Sequence, residues 1–424
     1  MLLINGNLWS NTETEKAIQL VSKQIVDTIS NKSLDRQTVL DASGRFADDF
    51  LNGNLDMEFA PFLEHEELSR TEIQALVETF QKDALGKRTS RELDSMKQDN
   101  SIMILPKGVL FHIAAGNMDI LPAYSVLEGL LTGNINILKL PSADHGLSVF
   151  LLQKLMEYEP RLKEYIYVFD TPSSDLVTVQ KLMHLANTIV VWGSDDAIEA
   201  VRKNAPVNAE IVEWGHKLSF CYIQDMNIPD SLLLKLAHHL FETNQLLCNS
   251  CQGIYLDTDN FEDIAAFGKR FAKILGEIEK EYMLPDYLQG KLTLEALTRR
   301  LENTDQKEII YQNQRSSVIC KRDSDLELSM LYGNVWVKPL KPERIGAALH
   351  KSKLYLQTAG IYPFSTSLIQ KLSRTGLTKI TGIGEMSKKQ LGMTHDGRFS
   401  LQQYVRLVEE IYELSGEEKH EREQ

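Results

Sequence analysis

Two hydrophobic periodicities divide the chain. From Thr14 to about Lys97 apolar residues recur every three or four positions: EKAIQLVSKQIVDTI puts Ile18, Val21, Ile25 and Ile29 on one stripe, and SRTEIQALVETFQKDAL opens with an S-x-x-E capping box from Ser69 to Glu72. Residues 1–99 are therefore expected to form a helical lead-in. From Ser101 the texture changes to short apolar runs separated by helical patterns. The runs GVLFHIA (108–114), NINILKL (134–140), YIYVFD (165–170), NTIVVWG (187–193), AEIVEW (209–214) and SFCYI (219–223) predict strands, with helices at about 118–132, 144–158, 173–186 and 194–204. Near-continuous apolar runs are what strands buried on both faces of a parallel sheet require, and the alternation predicts an open, doubly wound α/β domain of Rossmann type over 100–225.

A second α/β region is expected over 226–394, with the boundary near residue 225 set by the polar turn IQDMNIPD. DSLLLKLAHHLFETN predicts a helix from about Asp230 to Asn244, GIYLDTD alternates like a strand, and FEDIAAFGKRFAKILGEIEKEY reads as a further helix. In the C-terminal part, 395–424, LQQYVRLVEEIYEL predicts a last helix and SGEEKHEREQ a frayed tail.

Composition narrows the function classes. With 424 residues, 43% hydrophobic and 25% charged, the chain can bury a sizeable core in two or three domains, and a formal charge of −13 argues against binding nucleic acid through its phosphates. Cysteines at 221, 248, 251 and 320 are too few and too unevenly spaced for a disulfide framework, which points to a reducing compartment. A basic segment followed by an apolar run is missing from the N-terminus, and no stretch reaches about eighteen apolar residues, so a cytoplasmic enzyme is expected.

The chemistry-bearing residues sit at the ends of the predicted elements. QLLCNSCQ (245–252) places Cys248 on a polar turn between a helix and a strand. A thiol there serves as a nucleophile if a helix end, backbone amides or a cation lowers its pKa; the competing reading is a small buried hydrophobe. In the first α/β region G-x-G-x-x-G follows no strand, so a different device must hold a dinucleotide. Gly193 and Ser194 at the end of VVWGS offer close backbone approach and a helix N-cap, Lys139 and Ser142 in NINILKLPS lie at a strand terminus, and Asp195 and Asp196 fit a first helical turn as well as a ligand role. Asn117, just after the first strand, is either an oxyanion donor or a helix N-cap; Glu213, 35 residues before Cys248, is either a general base or a strand-end surface group. His395 in THDGRFS is either an acid/base group or part of an Asp-Gly turn.

Taken in order, GVLFHIAAGNMDILPAYSVLEGLLTGNINILKLPS, VVWGSDDAI, EWGHKLSF and NQLLCNSCQGIYLD resemble the aldehyde dehydrogenase superfamily. Within it, Q-x-x-C-x-S-x-Q at Gln245, Cys248, Ser250 and Gln252, with LQTAGI (356–361) and HDGRFSLQQYVRLV (395–408), is similar to the bioluminescence-type fatty acyl-CoA reductases, the LuxC family. The resemblance covers about residues 100–410. It implies an aldehyde dehydrogenase-like α/β fold, a Rossmann-type cofactor domain plus an α/β catalytic domain bearing the cysteine. It implies further that Cys248 accepts the acyl group, that Asn117 completes an oxyanion hole with the Cys248 amide, and that Lys139, Ser142, Gly193 and Ser194 line the cofactor site. Glu213 then sits where aldehyde oxidisers keep a water-activating base. The chain departs from typical aldehyde dehydrogenases in lacking E-x-F-G-P, a region that YGNVWVKPL only loosely occupies.

The expected activity is NADPH-dependent reduction of an acyl-CoA or acyl-carrier thioester to an aldehyde, with NADH as a possible cofactor, an acyl-protein synthetase as a possible partner and a homo-oligomer as the expected assembly. The alternative is an NAD(P)-dependent aldehyde dehydrogenase forming the acid or acyl-CoA. Two other classes compete: a redox or metal pair built on Cys248 and Cys251 with His238 and His239 nearby, and a non-catalytic interaction protein on the same scaffold.

Overall fold

A computed structural model of the chain describes residues 1–63, 73–74, 77–96, 101–114, 120–142, 144–303, 308–388 and 393–409. The capping box at Ser69 and Glu72 lies outside these residues. Two compact units divide the rest: residues 1–215 with the C-terminal segment 393–409, and residues 216–388.

The first unit is built on a seven-stranded sheet of β1 (Leu2–Ile4), β2 (Asn7–Trp9), β4 (Val109–Ile113), β5 (Ile135–Lys139), β6 (Ile166–Phe169), β7 (Thr188–Gly193) and β8 (Glu210–Gly215), in the order β2-β1-β6-β5-β4-β7-β8. From β6 to β8 all neighbours are parallel, while β1 runs antiparallel to β6 and to β2. The five predicted strands of this unit form within two residues of their expected limits; β4, β5, β6 and most of β7 are buried on both faces, while the edge strand β8 keeps Glu210 exposed. Helices α5 (Leu121–Leu131), α6 (Leu147–Tyr158), α7 (Leu176–Met183) and α8 (Asp195–Asn204) make the crossovers. The chain winds from β4 through β5 to β6 on one side, then returns to place β7 on the other side of β4, which makes the β4/β7 boundary a topological switch point.

The N-terminal region contributes α1 (Thr14–Asn31), α2 (Arg36–Leu51), α3 (Asp56–Leu63) and α4 (Lys82–Glu92). Ile18, Val21 and Ile25 are buried as the stripe predicts, whereas Ile29, in the last turn of α1, is exposed. The strands β1 and β2 correct the expectation of a purely helical lead-in.

Two further expectations are corrected. The division between units falls after Gly215, because β8 is the last strand of its sheet, and SFCYI forms β9 (Leu218–Ile223) of the second unit. The polar turn near residue 225 is instead the link from β9 to its following helix. The predicted C-terminal helix is a short 3-10 turn, Leu401–Tyr404, followed by strand β16 (Val405–Glu409), which pairs antiparallel with β3 (Ile102–Pro106) from Val405↔Pro106 to Glu409↔Ile102. Residues 401–408 satisfy both periods, and the waiting ladder of β3 selects the strand. The tail, 410–424, lies outside the described residues.

The second unit carries α9 (Asp230–Glu242), β10 (Cys251–Leu256), α10 (Phe261–Ile278), α11 (Asp286–Glu302), β11 (Ile309–Gln312), β12 (Ser317–Cys320), β13 (Asn334–Pro339), α12 (Ile345–Leu349), β14 (Leu356–Tyr362), α13 (Thr366–Ser373) and β15 (Lys379–Gly382). Its sheet runs β11-β12-β13-β10-β9-β14-β15, parallel except for β11. Gly253 is required at the β10/β13 contact, since a Cβ there would stand 1.9 Å from the Trp336 ring.

A buried charge cluster ties the C-terminal segment to the first unit. Arg88 on α4 donates to Glu92 at 2.7 Å and to Tyr124 Oη at 2.5 Å, and it contacts Glu128 on α5 and Ser400. Glu92 in turn accepts from the Leu401 amide at 2.9 Å. Burial raises the Glu92 pKa against the opposing pull of Arg88. Because removing one partner strands the remaining buried charges, Arg88→Ala should cost about 3–5 kcal/mol in urea unfolding, against about 0–1 kcal/mol for the half-exposed Lys16–Glu13 pair. A cost below about 1 kcal/mol for Arg88→Ala would show that the cluster does not hold the segment.

Candidate active site

Cys248 sits on the eight-residue turn, 243–250, from α9 into β10, at the edge where the parallel strands of the second unit begin. The turn is opened by Asn244 and Gln245 in left-handed backbone conformations, φ 47° and 61°. Such residues persist only where side-chain bonding over-determines them, and here it does. Gln245, buried, donates from Nε2 to the Cys251 carbonyl at 3.0 Å, to Ser329 Oγ at 3.0 Å and to the Asn334 carbonyl at 3.2 Å; its Oε1 accepts from the Gly333 amide at 2.9 Å. Gln252 donates to the Gln245 carbonyl at 2.9 Å and accepts from Ser329 Oγ at 2.8 Å. Ser250 accepts from the Leu247 amide at 3.1 Å, and Ser219 at the start of β9 donates to the Cys248 carbonyl at 2.7 Å. The turn is thus held from both flanks while Cys248 itself is only partly buried.

The other thiols are different. Cys221, Cys251 and Cys320 are buried; burial pushes the Cys221 thiol up, and the Cys320 thiol up to about 12. The Cys251 thiol donates to the Gly253 carbonyl at 3.2 Å. Its amide donates to His239 Nε2 at 3.2 Å, and His239 Nδ1 lies 3.2 Å from Ser387 Oγ. His238 pairs with Tyr282 Oη at 2.7 Å. Both histidines are therefore engaged in the fold, which weighs against the Cys-x-x-Cys metal reading.

The residues expected at the cofactor site gather on the first unit, at the C-terminal edge of its parallel strands. Lys139 ends β5 and Gly193 ends β7, two strand spacings away across β4 and two residues further along, or about 12 Å. Lys139 is buried, its ammonium donates to the Leu140 carbonyl at 3.2 Å, and desolvation lowers its pKa against the pull of Asp170. Ser142 is exposed just beyond. Ser194 caps α8, accepting from the Ala197 amide at 3.4 Å, and a Cβ on Gly193 would press to 3.1 Å on Ala197. Asn117 lies outside the described residues, in the stretch after β4.

Glu213 on β8 grips Arg202 of α8 with both carboxylate oxygens, at 2.5 and 2.6 Å, and its backbone carbonyl accepts from Arg398 at 2.8 Å. This pairing was not foreseen, although an arginine in the last turn of a helix that leads into the glutamate's strand is its sequence trace. His395 opens a tight turn with Asp396 and Gly397 at φ 49° and 77°, closed by reciprocal bonds with Arg398 at 2.8 and 2.9 Å, the type I′ geometry that Asp-Gly favours. Its ring stands edge-on to Trp192 and Trp214, at 5.2 and 4.8 Å.

The family model for acyl-CoA reductase (LuxC) matches residues 15–407. The chain belongs to the LuxC family. Among relatives, the long-chain acyl-protein thioester reductase of Aliivibrio fischeri is 25% identical over 331 residues, covering 72% of this chain and 64% of that one. That of Photorhabdus luminescens is 26% identical over 339 residues, covering 77% and 68%. This LuxC member thus spans about two thirds of the length of those relatives. Lactaldehyde dehydrogenase from Escherichia coli superposes with a TM-score of 0.67 at 12% identity, over 94% of this chain and 91% of that one. The Δ-pyrroline-5-carboxylate dehydrogenase from Mycobacterium tuberculosis gives 0.69 at 14%, over 96% and 84%. The fold of this LuxC chain is aldehyde dehydrogenase-like.

Two buried histidines give the fold an acid limit. Desolvation holds His112, on β4 between Ser125 at 2.7 Å and Asn136 at 3.0 Å, at about 4, and burial with the nearby Lys379 cation holds His239 at about 4. Both are neutral in the fold but take up a proton near 6.5 once unfolded. Their contribution is therefore complete above pH 6.5 and is lost as pH falls toward 4, by up to about 3 kcal/mol each. Urea unfolding at pH 7.5 and 5.0 should show the loss, and His239→Gln should flatten it; equal stability at the two pH values contradicts the assignment.

Proposed function

We propose that this chain reduces acyl thioesters to aldehydes with NADPH through an acyl group carried on Cys248. The observation that carries the reading is the contrast among its thiols: Cys248 alone of the four is not buried, and its turn is pinned by the buried side-chain hydrogen bonds of Gln245 and Gln252. Membership of the LuxC family supports the same chemistry. The acyl donor is CoA, as in the description of the family, or an acyl-protein, as in the names of the relatives, and a separate acyl-protein synthetase, a homo-oligomer and a cytoplasmic location belong to the same reading.

The Cys248 thiolate attacks the thioester carbonyl; the carbon–sulfur bond to the carrier breaks, the carrier leaves as a thiol after taking a proton, and the acyl group stays on Cys248. NADPH, when bound, supplies the hydride that reduces this carbon, NADH being the alternative donor. Lys139, Ser142, Gly193 and Ser194 are the residues to hold the cofactor: a buried ammonium with one carbonyl partner among the described residues and a glycine beside a helix N-terminus suit a phosphorylated ligand. Asn117 and the Cys248 amide stabilise the oxyanion that collapses to aldehyde and thiolate.

Cys248→Ala should form no acyl-enzyme with radiolabelled acyl-CoA while Cys251→Ala still does. Asn117→Ala should be slowed roughly 100- to 1000-fold, about 2.7–4 kcal/mol of barrier. Labelling of the Cys248→Ala protein would end the proposal.

Glu213 bears on the oxidative alternative. With both oxygens on Arg202 the carboxylate is poorly placed to take a proton from water, which favours a reductase whose acyl-enzyme resists hydrolysis. Without cofactor, acyl-CoA should release free acid far more slowly than aldehyde forms with NADPH, and Arg202→Ala should raise that release. Rapid acid release that disappears in Glu213→Gln would instead make the protein an aldehyde dehydrogenase forming acids.

A further inference from the structure

A cavity of about 130 Å³ opens in the second unit between α11 and the β11–β12 hairpin, lined by Gln289, Thr293, Arg300, Gln312, Asn313 and Arg315 among others. Among the described residues no carboxylate lines it. The hairpin is rigid: the buried Glu279 carboxylate accepts from the amides of Gln314, Arg315 and Ser316 at 3.1, 3.2 and 2.9 Å and from Ser316 Oγ at 2.7 Å. That charge is spent on the backbone, and the Arg315 guanidinium remains. Its Nη2 is buried with no acceptor among the described residues, and Gln312 Oε1 is buried with no donor among them. A stranded donor of this kind is unfavourable to bury, and a ligand oxygen removes the cost. Two arginines at a cavity well below the size of a nucleotide site suit a phosphoryl group.

The register of the sheet relates this cavity to the nucleophile. Gln312 pairs with Ser317, Ser317 with Asn334, and Gly253 with Trp336, so that two residues earlier Cys251 stands beside Asn334. Gln245 Nε2 spans that step, bonding the carbonyls of both. The cavity hairpin and the Cys248 turn therefore share one edge of one sheet, three strand spacings apart, or about 14 Å. A pantetheine arm has about 13 bonds between phosphorus and sulfur, and at ~3.6 Å per three bonds of an extended chain it reaches about 16 Å.

The geometry points to Arg315 and Arg300 as the site for the phosphate of a 4′-phosphopantetheine arm, whether on CoA or on a carrier protein, whose thioester then reaches Cys248; this rests on the thioester reading above. Gln312 Oε1 offers an acceptor to a hydroxyl or amide N–H of the same arm. The site selects thioesters by what the acyl group is carried on, leaving the acyl chain itself unread.

The test compares three thioesters of one acyl group: acyl-CoA, acyl-4′-phosphopantetheine and S-acyl-N-acetylcysteamine, which has no phosphate. The preference in kcat/KM for each phosphorylated substrate over the phosphate-free one should fall roughly 10- to 100-fold in Arg315→Gln and by a smaller factor in Arg300→Gln. Arg315→Lys, which retains the charge, should recover part of it. Calorimetric binding of free CoA should weaken in the same order, with circular dichroism confirming that each variant is folded. An unchanged preference, an equal loss for all three substrates, or CoA binding as tight as wild type overturns the assignment. A loss confined to acyl-CoA also overturns it, by giving the cavity to the nucleotide phosphates. If the wild-type protein reduces none of the three, the thioester reading fails, and the CoA titration still decides whether the arginines hold a phosphate.

Discussion

The side-chain amide of Gln245 is the constraint on which the candidate nucleophile depends. Its three donor contacts and one acceptor contact join the turn to β10, to the start of β13 and to the segment before it, so that two left-handed residues are locked in place. A buried amide that satisfies both ends rigidifies its surroundings, and one left half-satisfied would melt them. The turn can accordingly expose a thiol without becoming loose. Gln252 and Ser329 close the network from the far side, which explains in physical terms why glutamines flank this cysteine at both ends.

The two units divide the chemistry cleanly. The first follows the logic of an open parallel sheet: residues suited to a phosphorylated ligand collect at strand C-termini next to the switch point, without the usual glycine fingerprint. The second presents its candidate nucleophile at the opposite kind of edge, where strands begin, because α9 must return along the sheet before β10 can start. The ion pair of Arg202 with Glu213 belongs to the first unit, and it converts a residue that reads as a base into one whose oxygens are already committed.

Much of this was legible from the chain. Parallel strands announced themselves as short apolar runs, and Cys248 stood out because its turn is polar while its flanks are not. What escaped was whatever depends on a distant partner. The segment around Val405 satisfies a helical period, and only the unpaired edge of β3 decides otherwise. Strands β1 and β2, three residues each, are too short to carry a period, and β1 is defined by its ladder with β6. The boundary near residue 225 failed for a similar reason: a polar turn inside a β–α link resembles a linker until the sheet order is known. Glutamine bonding inside a core leaves no local trace, so Gln245 and Gln252 could be matched to a family pattern but not given a task.

The return of residues 400–409 to the first unit has a consequence for how the protein is made. Ser400 and Leu401 complete a buried cluster whose other members, Arg88, Glu92 and Glu128, leave the ribosome about 270 to 310 residues earlier. Until then the nascent amino-terminal half carries two glutamates and an arginine facing an unfilled slot, with β3 lacking its neighbour. The intervening half must be synthesised, and has time to fold, before the earlier one can be sealed, so completion of this unit waits on strand β16.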